Sequence, residues 1–437
     1  MASSASSSLR GIASGTLPQI WKHRLSVTRS VRLPIDIGQD DVPLVPQNVK
    51  YVASYNRTND PQPTILVPGS PRQWLDLPLP LVVPCDVPDT PRIFAEAMLP
   101  MLRAADTIAL SHPECAVDWS TIDVVADLGV LRTLLHWIHR FSNPHMPWKD
   151  VRGLESFGSR FDVQPTTGRT VLLHRIPPTP RRLAWGRKQR PHTSFGSDFE
   201  RLATAPGAGC ERGLEHYRAI QYDFGGLRLV VSGEVDACIP QDADPSSTSP
   251  PPAQAPIGSP PDPPERPALP PRSADIAVVP AGAFVPQSAL LEIKTEGLRH
   301  DGGRRVHAWM HTWSRTYPQM LLSQTPTLLA AGRVRETFVR VRRTRVDADA
   351  FRAEAARWAD VQRDLRLLVP MLRRFCGVAR ARGAPFTARA FKDRWAVQEV
   401  DRAREHWLLG PEDLERFAPR AGASWKVRNR TRTPREP

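Results

Sequence analysis

The chain has no stretch of about 20 apolar residues, the length a membrane-spanning helix needs. Its most apolar text, Leu77–Cys85, is short and interrupted by Pro78, Pro80 and Pro84. It has no C-x-x-C pair: the five cysteines (Cys85, Cys115, Cys210, Cys238 and Cys376) are odd in number and scattered. That excludes a disulfide scaffold and fits free thiols in a reducing compartment. There is no phosphate-binding P-loop and no dinucleotide fingerprint. Acid is missing from the first 35 residues, which carry Arg10, Lys22, Arg24, Arg29 and Arg32 and a run of serines. Such a start reads either as a basic tail or as a mitochondrial presequence; the weak amphipathic pattern favours the tail.

What is present is positive charge and proline. Lys and Arg number 59 against 45 Asp and Glu, a formal charge of +14 over 437 residues. An excess of this size favours polyanionic partners, nucleic acid first among them. Apolar residues make up 41%, enough for a sizeable core. The 46 prolines are concentrated, with 13 of them in the 36 residues from Pro240 to Asp275. That segment reads as a disordered loop, because it has too little apolar surface to offset its ordering entropy. We therefore expect three parts: a basic tail over 1–39, a single domain over 40–420 interrupted at 240–275, and a basic tail over 421–437.

Within the domain, STIDVVADLG (Ser120–Gly129) reads as a strand into a turn, and VLRTLLHWIHR as a helix. Strands are expected at Thr170–Ile176, Leu227–Val235, Ala289–Ile293, Thr327–Ala331 and Thr337–Arg343. The strands on either side of the proline-rich loop are expected as neighbours. Helices are expected at Val306–Tyr317 and Asp347–Phe375, the second kinked or divided at Pro370. The fold class is α/β, with a mixed β-sheet core flanked by helices.

Two short texts carry chemistry, GEVDA and LLEIKTE. Residues two apart on a strand share a face, so Glu234 projects with Asp236 and Glu292 with Lys294. Three carboxylates beside one lysine suit a hard divalent ion such as Mg²⁺ or Mn²⁺. Such an ion lowers the pKa of a bound water and stabilises charge on phosphate. Either triplet alone is common in solvated strands. Here each ends an apolar run, where a merely solvated pair is less expected.

The pairing resembles the PD-(D/E)XK nuclease superfamily, and more narrowly the DXO-like decapping exoribonucleases. Four segments carry the resemblance in order: SFGSDFERLAT (Ser194–Thr204), LVVSGEVDA (Leu229–Ala237), LLEIKTE (Leu290–Glu296) and YPQMLLSQTPTLLAAGR (Tyr317–Arg333). The resemblance implies divalent-metal-dependent hydrolysis at RNA 5′ ends. It assigns Glu200, Asp236 and Glu292 to the metal, with Glu234 acting through water. Lys294 activates the attacking water, and Gln319 positions that water or the scissile phosphate. It further implies the RNA 5′ end as partner, a nuclear 5′–3′ exoribonuclease as a protein partner, and a nuclear or cytoplasmic place. The family's W-R-G arginine has no counterpart in VVADLG (Val124–Gly129), and its lysine before the glutamine is replaced, with Arg315 nearest. Arg132, Arg315 and Arg333 are the RNA contacts expected in their stead. A non-catalytic RNA-binding or exoribonuclease-stabilising scaffold is the alternative, and a DNA nuclease the third. Other segments resemble fungal proteins often labelled geranylgeranyl pyrophosphate synthase. The D-D-x-x-D helix of that chemistry is absent, since Asp40-Asp41 lacks its third aspartate. His307 and His311, four apart, read as surface rather than metal ligands, and His136 and His139 as helix-face residues.

Overall fold

The computed structural model describes residues 29–32, 43–83, 97–142, 160–175, 195–240, 276–301, 304–306, 309–346, 355–391, 394–399 and 408–419. Residues 1–28, 421–437 and 241–275, the Arg181–Arg190 run and His307 lie outside the described residues. Arg29–Val31, expected within the basic tail, instead pairs antiparallel with Trp395–Val397 at the edge of the larger sheet, where Val31 is buried. Among those described, eleven strands form one mixed sheet and seven a second, with a separate two-stranded hairpin. The expected mixed α/β architecture is the observed one.

The larger sheet is organised by a hairpin. Strands β3 (Gly213–Phe224) and β4 (Leu227–Val235) pair antiparallel, from Phe224 opposite Leu227 to Tyr217 opposite Glu234. The two residues between them, Gly225 and Gly226, have φ of 57° and 74°. Two consecutive positive φ values are what a two-residue hairpin turn demands, and glycine adopts them without strain. A Cβ on Gly225 would also lie 2.5 Å from Val369 Cγ2. On the outer side of β3 lies β1 (Gln47–Thr58), antiparallel. On the outer side of β4 lies β2 (Val124–Asp127), parallel.

The chain leaves β2 straight into α2 (Leu128–Ser142), and Asp127 caps the junction by accepting the Gly129 N–H at 2.5 Å. Leu131, Leu134, Leu135 and Ile138 recur at helical spacing and are buried. They pack with α5 (Ala355–Arg382) on one face of the sheet. The other face carries α1 (Leu99–Ser111). The first face also holds an aromatic cluster of Phe161, Phe375 and Trp395, with ring centroids 5.0–6.2 Å apart. Truncating fully buried Phe161 to alanine is expected to cost about 3–5 kcal/mol, read as a shift in urea midpoint at unchanged slope.

The smaller sheet holds the rest of the site. After β4 the chain passes Asp236 and enters the short strand β5 (Ala237–Cys238) of this second sheet. There β5 pairs antiparallel with β6 (Leu290–Gly297), which pairs parallel with β7 (Thr327–Val334). A parallel pair needs a crossover, and α4 (Trp309–Ser323) supplies it. Strand β8 (Thr337–Arg345) closes the group antiparallel to β7. On this sheet lies the short helix α3 (Phe195–Leu202), pinned by Phe199 stacked on Phe338 at 4.2 Å. Arg218 ties the sheets together from β3, donating to Gln287 Oε1 at 3.0 Å and to the Val285 carbonyl at 2.5 Å.

Three expectations are corrected. The strands flanking the proline-rich loop are not neighbours as read: Leu227–Val235 belongs to one sheet and Leu290–Gly297 to the other. Only the two-residue continuation β5 pairs with β6, and the chain after the loop first makes a strand at Ala277–Gly282 beside Thr64–Gly69. The helix expected at Val306–Tyr317 begins three residues later and runs on to Ser323. Pro370 does not divide the long helix, which runs unbroken over 28 residues.

Candidate active site

The acidic residues converge where β4 crosses from one sheet to the other. On β4, Leu229 and Val231 face the α2–α5 core while Val230 faces the α1 side. Glu234 follows Val230 by period two and projects from the α1 side, with Asp236 next along. On β6, Leu291 and Ile293 are core residues of the small sheet, which turns Glu292 and Lys294 to its opposite face. Burying Phe199 orients α3 so that Glu200 reaches the same centre, and the charges of Asp236, Glu234, Glu292 and Lys294 all bear on it.

The hydrogen bonds hold this arrangement. Lys294 Nζ pairs with Glu292 Oε1 and lies 3.9 Å from Asp236 Oδ2. Gln319 on α4 donates Nε2 to the same Glu292 oxygen at 2.6 Å, while its own buried Oε1 has no hydrogen-bond partner. The Ile293 N–H donates to Asp236 Oδ2 at 2.7 Å, a backbone tie between the two sheets. Glu292 and Gln319 are buried, Glu200 is half-buried, and Glu234 is closely surrounded by protein yet still reached by solvent.

This is more negative charge than one lysine balances. Burial, then the neighbouring Asp236, pushes the Glu200 carboxyl far above its ordinary range. Burial, then Glu215 and Asp236, pushes Glu234 up to about 8. Burial and Glu292 raise Asp236 as well, against the opposing pull of Lys294. Burial alone would lower Lys294, but Glu292 and Asp236 more than offset it and hold the ammonium charged. Clustered carboxylates that resist ionisation are relieved by protons or by a cation. The donor set is all hard oxygen, as Mg²⁺ or Mn²⁺ prefers. Among the described residues no three His, Cys, Asp or Glu groups are disposed to ligate an ion as they stand. Glu292 is instead turned to Lys294 and Gln319.

All six residues expected at the centre are brought together. The expected RNA contacts divide. Arg132 is exposed on α2, and its charge bears on Asp236 and Lys294. Arg333 lies over the Phe195 ring at 4.2 Å and donates to the Arg335 carbonyl at 2.6 Å. Arg315 belongs to α4, but its side chain lies outside what is described. His139 pairs with Asp364 at 2.6 Å and joins α2 to α5, as a helix-face residue would.

Sequence reasoning missed Glu215 and Tyr217. Tyr217 stands opposite Glu234 and donates its hydroxyl to Glu215 Oε2 at 3.0 Å; Arg57 lies 3.6 Å from the same oxygen. The signal was available. A Gly-Gly hairpin turn at 225–226 fixes the register, and counting back from it places Tyr217 across from Glu234.

Solved structures share this fold. Rai1 of Schizosaccharomyces pombe, in complex with 3′-FADP, is 11% identical with a TM-score of 0.51, covering 85% of this chain and 99% of that one. Rai1 of Candida albicans, in complex with pU5 and Mn²⁺, is 11% identical with a TM-score of 0.52 over 89% and 99%. Rai1 of Scheffersomyces stipitis, with (3′-NADP)⁺ and calcium, is 11% identical with a TM-score of 0.53 over 87% and 97%. No curated protein matches the sequence. The DXO-like resemblance is thus borne out in the fold, at an identity that speaks for architecture alone. A family model described as a domain of unknown function, DUF8563, matches residues 26–401, most of the chain, so the protein belongs to the DUF8563 family and carries it on a Rai1-like fold.

Proposed function

We propose that this protein is a divalent-metal-dependent hydrolase of phosphodiester or pyrophosphate bonds at RNA 5′ ends. The observation that carries the reading is the convergence of Glu200, Glu234, Asp236, Glu292, Lys294 and Gln319 at the seam of the two sheets. Glu200, Asp236 and Glu292 would hold the ion; that C. albicans Rai1, a solved structure of this fold, is in complex with pU5 and Mn²⁺ supports a divalent ion. A bound Mg²⁺ or Mn²⁺ would supply Lewis acidity and a more acidic water.

The protein's own groups do the rest. Glu292, which pairs with Lys294 in the metal-free protein, would be one of the residues that hold the ion. Lys294, still charged, then orients the attacking water and neutralises charge developing on the phosphate. Gln319 keeps its amide on Glu292 and offers the unpartnered Oε1 to a water or substrate proton. Glu234, which solvent reaches, acts through water.

The test incubates purified protein with Mn²⁺ or with EDTA and a panel of RNAs identical except at the 5′ end, plus a DNA of the same sequence. We expect Mn²⁺-dependent release of a 5′-terminal fragment from at least one RNA and little from the DNA. Inertness toward every end would favour the non-catalytic scaffold, and equal cleavage of the DNA would favour a general nuclease.

A further inference from the structure

Of the three proposed ligands only Glu200 comes from a helix, and that helix is short. The 8 residues of α3 make about two turns, too few to hold a helical shape unaided. Phe199, stacked on Phe338, fixes how α3 sits on the small sheet. Where the helix ends, and so where Glu200 lies on it, depends on the carbonyls its C-terminus leaves without helical partners.

Three consecutive carbonyls there are satisfied. The Phe199 carbonyl accepts the Ala203 N–H at 2.8 Å, a normal helical bond. The Glu200 carbonyl accepts the Thr204 hydroxyl at 2.6 Å. The Arg201 carbonyl accepts Arg72 Nη2 at 3.3 Å. The same guanidinium donates Nε to the Thr204 hydroxyl at 2.7 Å and Nη2 to the Thr204 carbonyl at 2.8 Å. The Thr204 hydroxyl thus accepts from Arg72 and donates to the main chain of Glu200. A cation at this end also complements the helix dipole.

The main chain of Arg72 is anchored in turn. Its carbonyl accepts the Cys238 N–H at 2.8 Å, two residues beyond Asp236. The strand that follows, Gln73–Trp74, pairs with Cys238 of β5 on one side and with Thr204–Ala205 on the other. Leu75 then donates its N–H to the Ala203 carbonyl at 3.0 Å. Residues 72–75 are therefore wedged between the helix that carries Glu200 and the strand that follows Asp236.

We propose that Arg72 is the positioning residue of Glu200, its guanidinium fixing the last turn of α3 so that the Glu200 carboxylate joins Asp236 and Glu292 at one ion. Its bonds run to main chain and to the Thr204 hydroxyl, so it acts through the helix rather than on the ion. The inference rests on the proposed function for the ion, and its test reads Mn²⁺ binding without RNA or turnover.

Mn²⁺ affinity would be measured from the EPR signal of the free ion for the parent, Arg72→Ala, Arg72→Lys, Glu200→Ala and the double variant Arg72→Ala with Glu200→Ala. Losing a group that orients a ligand weakens metal binding by about 10–100-fold, so Arg72→Ala should bind Mn²⁺ at least about tenfold more weakly. Arg72→Lys should recover part of this, since an ammonium reaches one acceptor but cannot reproduce the planar fork. With Glu200 already removed, Arg72→Ala should cost nothing more, as expected of two residues acting as one. Unchanged affinity in Arg72→Ala, or the same loss with and without Glu200, would overturn the assignment. Should Arg72→Ala fail to fold, Arg72→Lys in the two backgrounds decides it, through a loss seen only with Glu200 present. Hydrogen exchange separates this inference from the metal reading. In Arg72→Ala the amides of residues 199–202 should exchange faster, while those of β3 and β4 keep their rates. If the parent binds no Mn²⁺, the metal reading fails and exchange decides the clamp: unchanged protection of α3, or faster exchange in the hairpin as well, would overturn it.

Discussion

Replacing Asp236 and Glu292 together with alanine should reduce hydrolysis of the RNA panel to background, a loss of about a thousandfold or more, while RNA affinity stays within a few fold of the parent. The two quantities separate because they come from different residues. Affinity for RNA arises mainly from Lys and Arg neutralising phosphates and releasing counterions. The rate depends on the ion, and these two carboxylates are central to the set proposed to hold it. Lys294→Ala should also be slow, with metal binding retained, because it removes the group that orients water. The fold should persist, because the double substitution relieves a crowd of like charges as it removes the Ile293 tie. Circular dichroism and melting would check this directly. If the double variant hydrolyses the panel as fast as the parent, the carboxylates are structural and the scaffold reading replaces the enzyme.

Stability of the metal-free protein should rise as pH is lowered from about 9 toward 6. Glu200, Glu234 and Asp236 all have folded-state pKa values raised above their unfolded values, Glu234 to about 8. A group raised on folding binds more protons in the native state. Its stabilisation is therefore complete below the unfolded value near 4 and is lost as pH rises through the folded one. Mn²⁺ relieves the same repulsion without protons, so its thermal stabilisation should be larger at pH 8.5 than at pH 6. Scanning calorimetry with EDTA or with saturating Mn²⁺ at the two pH values reads both effects. A pH-independent melting temperature in EDTA, or a larger Mn²⁺ effect at pH 6, would contradict the account. Asp236→Asn should flatten the metal-free profile at its alkaline end.

Much of this site was legible in the sequence, because strand periodicity is local. GEVDA and LLEIKTE declare which side chains share a face whatever their strands later pair with. The sheet membership of those strands was not legible. Pairing β5 rather than β4 with β6 depends on a crossing between sheets that no period-two pattern marks. The start of α4 was misplaced because Val306 fits the helical spacing but is held in the Arg299–Val306 hairpin. Pro370 does not divide α5 because the helix is buried against the sheet over Leu365, Leu368, Met371, Leu372 and Phe375, packing that outweighs one lost backbone donor. Glu215 went unnoticed because a carboxylate in an alternating strand looks solvated until its cross-strand partner is identified.

The crossing of the chain between the sheets bears on biosynthesis. Glu200, Glu234 and Asp236 leave the ribosome with the hairpin, but Glu292 and its strand come only after the proline-rich segment. Strand β6 then has no parallel partner until α4 and β7 have followed it. Non-local parallel pairing of this kind is slow to form. A nascent chain stopped before Thr327 thus owns every proposed metal ligand yet lacks the strand that holds Glu292 in line. Competence to capture an ion would then mark completion of the second sheet, so that a truncated or stalled product carries no stray hydrolase.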